Sequence, residues 1–181
     1  YKLPQFSFGQ FTVGVQGTYM TKYDIQTAPG LDANIVYHAV GQMGGVGSGL
    51  AASCPFSAGA MCFFPRVRGQ ASVNWQLGPW DASWRMQYIG PWQMGTQNRD
   101  EDYSYIAGFP SSNPYVQHYG ARVYNNVSVG YNIEPINTRI DIGVDNVFDK
   151  DPPFISAARS QNANDFDTIG RYYFGRITVK F

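Results

Sequence analysis

The sequence is poor in charge and in the residues that most often carry out chemistry. Only 14% of its 181 residues are charged, against roughly 25% in typical soluble domains. The 13 basic and 13 acidic residues cancel to a formal net charge of zero, so no surface for nucleic acid is predicted. His38 and His118 are the only histidines, and no Ser/His/Asp grouping can be assembled around them. We therefore expect neither a nucleic-acid-binding protein nor an enzyme.

Long apolar runs are also missing. The hydrophobic fraction is 44%, yet the mean hydropathy is −0.29, so apolar residues are interspersed with polar ones throughout. No stretch approaches the roughly 18 apolar residues of a transmembrane helix. Residues 1–10 lack the basic start and apolar block of a signal peptide. The chain is therefore expected to be mature, or to be a piece of something longer.

Cysteine is almost absent. Cys54 and Cys62 lie in a stretch rich in Gly, Ala, Ser and Pro. A close isolated pair of this kind predicts a small disulfide in an oxidising compartment. Two free thiols are the alternative, and a metal site is disfavoured because two ligands with no nearby His are too few. No metal or other cofactor is predicted.

Aromatic residues are frequent, and apolar and polar residues alternate strictly along much of the chain. The chain has 13 Tyr, 12 Phe and 4 Trp. Apolar and polar residues alternate with a period of two, which is typical of strands and not of helices. Six strands are predicted, at residues 11–23, 67–77, 80–88, 121–133, 138–147 and 171–181.

Each predicted strand has one apolar and one polar face, because alternate side chains of a strand point to opposite sides. Arginines on the polar faces would be costly in a packed core but are stable beside water. The residues predicted to face water in this way are Arg68, Gln70, Asn74, Arg85, Gln87 and Arg122. Aromatic residues are predicted near strand ends, where they would lie at a membrane interface; these are Tyr19, Tyr23, Trp75, Trp80, Trp84 and Tyr88.

Short and long connections alternate between the predicted strands. Residues 78–79 and 134–137 form short turns, whereas residues 24–66, 90–120 and 148–170 form long connections. Structureless loops of that length count against a compact soluble domain. Outer-membrane barrels have short turns at one end and long loops at the other. The sequence therefore predicts an all-β, antiparallel transmembrane β-barrel, with a soluble β-sandwich that has one solvated face per sheet as the alternative.

Two polar stretches invite other interpretations. Asp145, Asp149 and Asp151 could suggest calcium ligands, but their spacing does not match a calcium loop, so a capped junction between strand and loop is favoured. The glycine-rich residues 44–49 lack the Gly-Lys-Ser/Thr ending of a phosphate-binding loop, which favours a flexible loop.

The end of the chain carries the most specific pattern. Residues 140–153 read Ile-Asp-Ile-Gly-Val-Asp-Asn-Val-Phe-Asp-Lys-Asp-Pro-Pro, and residues 167–181 read Asp-Thr-Ile-Gly-Arg-Tyr-Tyr-Phe-Gly-Arg-Ile-Thr-Val-Lys-Phe. This resembles the C-terminal signature of TonB-dependent outer-membrane receptors, in which a strand ends in Asn-Leu-Phe-Asp and Asp-x-x-Gly-Arg precedes a last strand ending in Phe. Val147 stands where the family usually has Leu.

The resemblance implies a fold and an orientation. Residues 1–181 would be the C-terminal part of a 22-stranded barrel, supplying about six strands, with the plug domain and the earlier strands absent. The long connections would then be extracellular in an integral protein of the bacterial outer membrane. The final strand would act as an assembly signal through Tyr173, Ile177, Val179 and Phe181.

The resemblance also implies a function and partners. The function would be energy-coupled import of a scarce nutrient such as an iron chelate, cobalamin or carbohydrate. The partners would be outer-membrane lipid, the protein's own plug domain, the TonB energy-transducing complex and the nutrient, and the polar faces would line the lumen or contact the plug. A passive pore or structural barrel is the alternative, and a soluble carbohydrate-binding β-domain is a third possibility.

One long connection is the candidate for ligand contact. Aromatic rings offer stacking surfaces and charged groups offer directional hydrogen bonds, although a solvated surface loop is the competing interpretation. The candidate residues are Trp92, Arg99, Asp100, Asp102, Tyr103, Tyr105, Tyr115 and His118.

Overall fold

A computed structural model describes residues 1–26, 36–44, 62–94, 117–153 and 166–180. Within these ranges the regular structure is almost entirely β. The strands are β1 (Gln10–Tyr19), β2 (Asp24–Gln26), β3 (Val36–His38), β4 (Gln42–Gly44), β5 (Cys62–Phe64), β6 (Val67–Leu77), β7 (Trp80–Ile89), β8 (Trp92–Met94), β9 (Gln117–Tyr119), β10 (Arg122–Ile133), β11 (Thr138–Asp145) and β12 (Tyr172–Val179). No helix in the described part is long and apolar enough to cross a membrane.

Six long strands form one sheet in the order β1-β6-β7-β10-β11-β12. Every neighbouring pair is antiparallel, and each long strand pairs with the next long strand along the chain. The prediction of an all-β, antiparallel fold is thereby confirmed. The six strands form an open sheet and not a closed barrel within the described ranges.

Some strand ends differ from the prediction. The first long strand stops at Tyr19 instead of residue 23, because the chain then pairs with a different segment: the Ala39 amide donates to the Tyr23 carbonyl at 2.8 Å, and Asp24 opposes His38. The fifth stops at Asp145, because Asn146 adopts a φ of +49°. Alternation of side chains does not reveal these stops, since it continues past the last hydrogen-bonded pair.

Both predicted short turns are present at the same end of the sheet. Gly78 takes a φ of +55°, a left-handed conformation that glycine adopts without strain. Glu134–Ile136 form one turn of 3-10 helix, which ends at Asn137 with a φ of +47°. The opposite end carries the long connections, and we refer to the two as the short-turn end and the long-connection end.

A further turn at the short-turn end was not predicted. Phe6 and Gly9 exchange two backbone hydrogen bonds of 3.1 Å each, which reverses the chain just before β1. The Leu3 amide then donates to the Phe11 carbonyl at 2.9 Å, and the Val13 amide donates to the Tyr1 carbonyl at 2.8 Å. Residues 1–6 therefore lie along the outer edge of β1.

The register gives the sheet two chemically distinct faces. On the apolar face Val13 opposes Val73, Val73 opposes Trp84, and Trp84 opposes Val127. The predicted position of Trp84 near a strand end is wrong, because Trp84 lies in the middle of β7. There its Nε1 donates to the Oδ1 of Asn125 at 3.1 Å, which satisfies a polar group on the apolar face.

The apolar face is open. Large apolar side chains on it are exposed, with Val15 at 82%, Ile142 at 60% and Ile177 at 71%. In a water-soluble sheet such side chains would pack on a second layer. Nothing in the described part forms that layer.

Buried side chains gather at the long-connection end, on the side of the polar face. A small four-stranded sheet of mixed direction, in the order β5-β4-β8-β9, is built from the long connections. Trp92 stacks on Tyr119 with ring centroids 3.9 Å apart, and Phe63 meets Trp92 edge-on at 5.2 Å. The fully or nearly buried cluster consists of Met43, Ile89, Trp92, Tyr119, Tyr124 and Phe166.

Gly143 of β11 is a point of close packing on the polar face. A Cβ atom at Gly143 would lie 2.7 Å from Cε1 of Phe174 and 2.9 Å from the Val127 carbonyl oxygen. The aromatic ring therefore uses the space that a side chain would fill. Such pairing of an aromatic ring with a glycine on a neighbouring strand supports the register of a sheet.

We predict that Gly143→Ala lowers the free energy of unfolding by about 1–3 kcal/mol, because the ring and the carbonyl must move apart. Urea titration of the complete protein measures the change. Gly17→Ala is the matched control, since a Cβ there would meet the Arg68 carbonyl oxygen at an ordinary 3.6 Å. Equal effects of the two substitutions would contradict the packing of Phe174 on Gly143.

Candidate functional site on the polar face

A shallow trough crosses the polar face near the long-connection end. Its centre is lined by Gln70, Arg85, Gln87, Tyr124 and Asn126. The register brings these residues together, because Gln70 opposes Gln87 and Gln87 opposes Tyr124 on successive strands. Three residues predicted from the sequence to face water thus meet in one concavity.

Two neighbouring hollows extend the trough toward β1. Both contain Gln16 and Gln70, and one adds Arg68 and Thr18 whereas the other adds Ser72 and Arg85. All of these side chains carry amide, hydroxyl or guanidinium groups. The extended trough is therefore lined by hydrogen-bond donors from four adjacent strands, and none of its lining residues is acidic.

The remaining polar-face residues lie outside the centre of the trough. Arg68 and Arg122 both oppose Ile89, so they lie at the same height on either side of β7. The Arg68 guanidinium lies 5.2 Å from the ring centroid of Phe63. Asn74 is exposed and opposes Ser83, closer to the short-turn end. The six residues share a face, but only Gln70, Arg85 and Gln87 line the central hollow.

Arg122 connects the polar face to the buried aromatic cluster. Its Nη1 donates to the carbonyl oxygens of Gly120 and Ala121 at 3.4 and 3.3 Å. Its buried Nε makes no hydrogen bond. Arg122 therefore caps the two carbonyls that directly precede β10, and its Nε remains without a partner.

At the short-turn end an arginine is held between two carboxylates. Arg139 makes a bidentate contact with Asp81 at 2.6 and 2.9 Å, and it contacts Asp141 at 2.5 and 3.1 Å. Gly130 lies between the two acids in the register, and a Cβ there would come within 2.8 Å of an oxygen of each. The absence of a side chain at Gly130 lets the guanidinium lie across β10. This cluster carries a net charge of −1.

The candidate ligand loop is described only at its base. Trp92 opposes Tyr119 and Gln93 opposes His118, so β8 and β9 form the stem of a hairpin. Trp92 is 4% exposed and packs in the aromatic cluster, whereas His118 is exposed. The other predicted contacts lie outside the described residues; these are Arg99, Asp100, Asp102, Tyr103, Tyr105 and Tyr115.

The predicted disulfide also falls largely outside the described residues. Cys54 is not among them, and Cys62 is described only as a backbone position in β5, where it opposes Gly44. The pairing of the two cysteines stays a prediction. Of the predicted assembly signal, Tyr173, Ile177 and Val179 lie on the apolar face of β12 by register, and Phe181 is not described.

A hydrogen-bonded junction joins the end of β11 to the start of β12. The fully buried Asn146 accepts from the Lys150 amide at 2.8 Å and donates to the Lys150 carbonyl at 3.0 Å. The Asp149 carboxylate accepts from the Arg171 amide at 2.8 Å, across the long connection. Asp167 in turn accepts from the Ile169 amide at 3.0 Å.

The junction gives a physical reason for the residue types of the C-terminal signature. Asn tolerates the φ of +49° at position 146 better than most residues do, and its amide group can satisfy a donor and an acceptor at once. Asp149, with a φ of +51°, supplies the acceptor for the last strand. A capped junction was predicted here from the aspartates, but the central part played by Asn146 was missed because a side-chain cap leaves no periodic signal.

Comparisons with family models, with curated proteins and with solved structures returned no match. Within the described ranges no three His, Cys, Asp or Glu side chains come together as metal ligands would. The chemistry that the described polar face offers is therefore hydrogen bonding and charge.

We predict that Asn146→Ala lowers the free energy of unfolding by about 1–3 kcal/mol, because it removes two hydrogen bonds between a fully buried side chain and the Lys150 backbone. Asn146→Gly keeps the left-handed backbone accessible but removes the same hydrogen bonds, and so it should be nearly as destabilising. Urea titration measures both. Asn74→Ala, at an exposed site, is the control, and a loss as large there would contradict the role given to the Asn146 side chain.

We predict that Arg139→Lys destabilises the sheet by about 1 kcal/mol or less, because the three groups are partly exposed to solvent. Lysine keeps the charge but loses the planar fork that reaches both acids. Arg176→Lys, at an exposed arginine of β12 on the same face, is the matched control. The measurement is the urea midpoint, and identical midpoints for the two variants would contradict a specific contribution from the Arg139 cluster.

Proposed function

We propose that this chain is a wall segment of an outer-membrane β-barrel that imports a scarce nutrient with the help of the TonB complex. The observation that carries the proposal is the combination of an exposed apolar face with open strand edges in a sheet of long antiparallel strands. The sequence does not distinguish among nutrient classes, so the proposed nutrient is an iron chelate, cobalamin or a carbohydrate.

The exposed apolar face supports contact with hydrocarbon. Fully burying one side chain such as Val or Ile is worth about 1.5–3 kcal/mol, whereas the net stability of a domain is about 5–15 kcal/mol. A dozen such side chains, about half exposed on average, would therefore forgo in water an amount comparable to a typical domain's whole stability. The exposed large side chains on this face are Val15, Tyr19, Leu77, Trp80, Val123, Val127, Val129, Ile140, Ile142, Tyr173, Ile177 and Val179.

The length of the apolar face is consistent with a bilayer. On β1 the apolar positions run from Phe11 to Tyr19, eight residue steps that span about 26 Å along the strand. At a tilt of about 40° this projects to about 20 Å, close to the roughly 25 Å apolar band of transmembrane barrels. Aromatic residues lie toward both ends: Trp80 and Tyr131 form a ring pair at 4.4 Å near the short turns, and Tyr19 lies near the long connections.

Open edges support additional strands on both sides. Beyond residues 1–6, the outer edge of β1 has no backbone partner among the described residues, and β12 is the other edge of the sheet. Unpaired backbone groups cannot stay in hydrocarbon, so a membrane sheet must close on itself. Six strands are too few for a large transporter barrel, so the proposed complete barrel has 22 strands, as the resemblance implies.

The transport role rests on the C-terminal signature and on the polar face. A face rich in Arg, Gln and Asn suits a lumen that contacts water, a plug domain and the ligand. In the proposed mechanism the long connections and the plug capture the nutrient outside the cell, and the TonB complex then displaces the plug. A passive pore would share the same wall, so dependence on cellular energy distinguishes the two.

We predict that Ile177→Cys and Thr178→Cys report opposite environments, although they are adjacent in sequence. Ile177 lies on the apolar face and Thr178 on the polar face. In a Cys54→Ser, Cys62→Ser background, a water-soluble maleimide should modify position 178 in intact outer membranes and leave position 177 unmodified. A lipid-soluble maleimide should modify position 177.

Equal reaction of both cysteines with the water-soluble reagent would exclude a hydrocarbon environment for this face and would favour a soluble β-domain. Labelling in detergent-unfolded protein is the control for intrinsic reactivity. A strain lacking the gene and a strain lacking the energy-transducing complex, compared for nutrient-limited growth, separate the transporter from the passive pore. A pore predicts a defect only in the first strain.

A further inference from the structure

Charge is distributed unevenly along the polar face. The acids Asp81 and Asp141 lie at the short-turn end around Arg139. A third acid of this face, Asp145, lies at the opposite end of β11 and outside the lining of the trough. Arg68, Arg85 and Arg122 lie in the half nearer the long connections. The trough in that half is lined by no acidic residue.

Arg85 is the most available of these cations. It is exposed, lines two of the three hollows, and forms no ion pair with a described residue. Two acids of the same face lie nearest by register: Asp145, two strands away at about 10 Å, and Asp81, four residues along β7 at about 13 Å. Both distances are at or beyond the Debye length of about 8–10 Å at physiological salt, and neither acid lines the trough.

The groups around Arg85 are neutral hydrogen-bonding groups. Gln70, Gln87 and Asn126 surround it with amides that can donate to an anionic oxygen. Tyr124 is 5% exposed, and its hydroxyl makes no hydrogen bond of normal geometry, although the Asp167 amide lies near it. The centre of the trough is therefore lined by a guanidinium, three side-chain amides and a tyrosine hydroxyl, with no carboxylate among them.

We propose that the trough binds a carboxylate-bearing solute, with Arg85 as its principal contact. The guanidinium fork matches the two oxygens of a carboxylate, and hydrogen bonds to charged groups are about twice as strong as neutral ones. Gln70, Gln87 and Asn126 then hold the orientation. The inference rests on the proposed function in one respect, namely that this face is reached by water from a lumen, and it narrows the ligand from any nutrient to an anionic one.

Citrate is the probe, and isothermal titration calorimetry of the complete protein in an uncharged detergent is the measurement. We expect Arg85→Gln to weaken citrate binding by about tenfold or more, since a charged hydrogen bond contributes about 1.5–3 kcal/mol. Arg176→Gln is the matched control: it removes the same charge from the same face but lies on β12, away from the trough. Its effect should stay within about twofold. Binding should also weaken as salt is raised from 50 to 500 mM.

Three results would overturn the proposal: no citrate binding by the unaltered protein, an equal loss in both variants, or sucrose binding as tight as citrate binding in the same titration. Maleimide labelling of positions 177 and 178 on the same preparation tests the barrel proposal separately from the anionic-ligand proposal. Opposite labelling without citrate binding would leave the barrel proposal intact and reject only the anionic ligand.

Discussion

The structure depends on one constraint: every long strand has an apolar side that no other part of the described chain covers. Antiparallel pairing satisfies the backbone within the sheet, but it does nothing for side chains such as Val15, Ile142 and Ile177, which remain exposed. The free energy of such a sheet is therefore set by its surroundings. The proposed arrangement, with hydrocarbon on that side and water on the other, would stabilise both faces.

Within the described ranges, the cluster of buried apolar side chains lies at the long-connection end. There the stacked rings of Trp92 and Tyr119, together with Phe63 and Phe166, form a dry cluster above the polar face. The small sheet built from β4, β5, β8 and β9 rests on it. The cluster therefore holds together the bases of the long connections, which is where binding residues would need a rigid support.

Polar interactions on the polar face also differ between the short-turn end and the long-connection end. At the short-turn end Arg139 is saturated by two carboxylates, and Gly130 makes room for it. Toward the long connections Arg85 lacks such a partner in the described part, and the hydrogen-bonding groups around it are uncharged. At one end of the face the arginine is thus paired with acids of the same chain, whereas at the other end Arg85 is available to bind something else. This asymmetry is invisible in the net charge of zero.

The sequence alone determined the six long strands and their two faces, because these follow from the local alternation of apolar and polar side chains. It also determined the short turns at Gly78 and Glu134–Ile136, because these follow from turn chemistry. It did not determine where strands stop, as at Tyr19, because that depends on which other segment the following residues pair with, here residues 36–39. The register alone decided which polar residues meet: Gln70, Gln87 and Tyr124 come from three strands, and only pairing across long connections brings them together. The buried role of Trp92 and the bridge from Asp149 to Arg171 likewise arise from contacts between residues far apart in the chain, which no local pattern encodes.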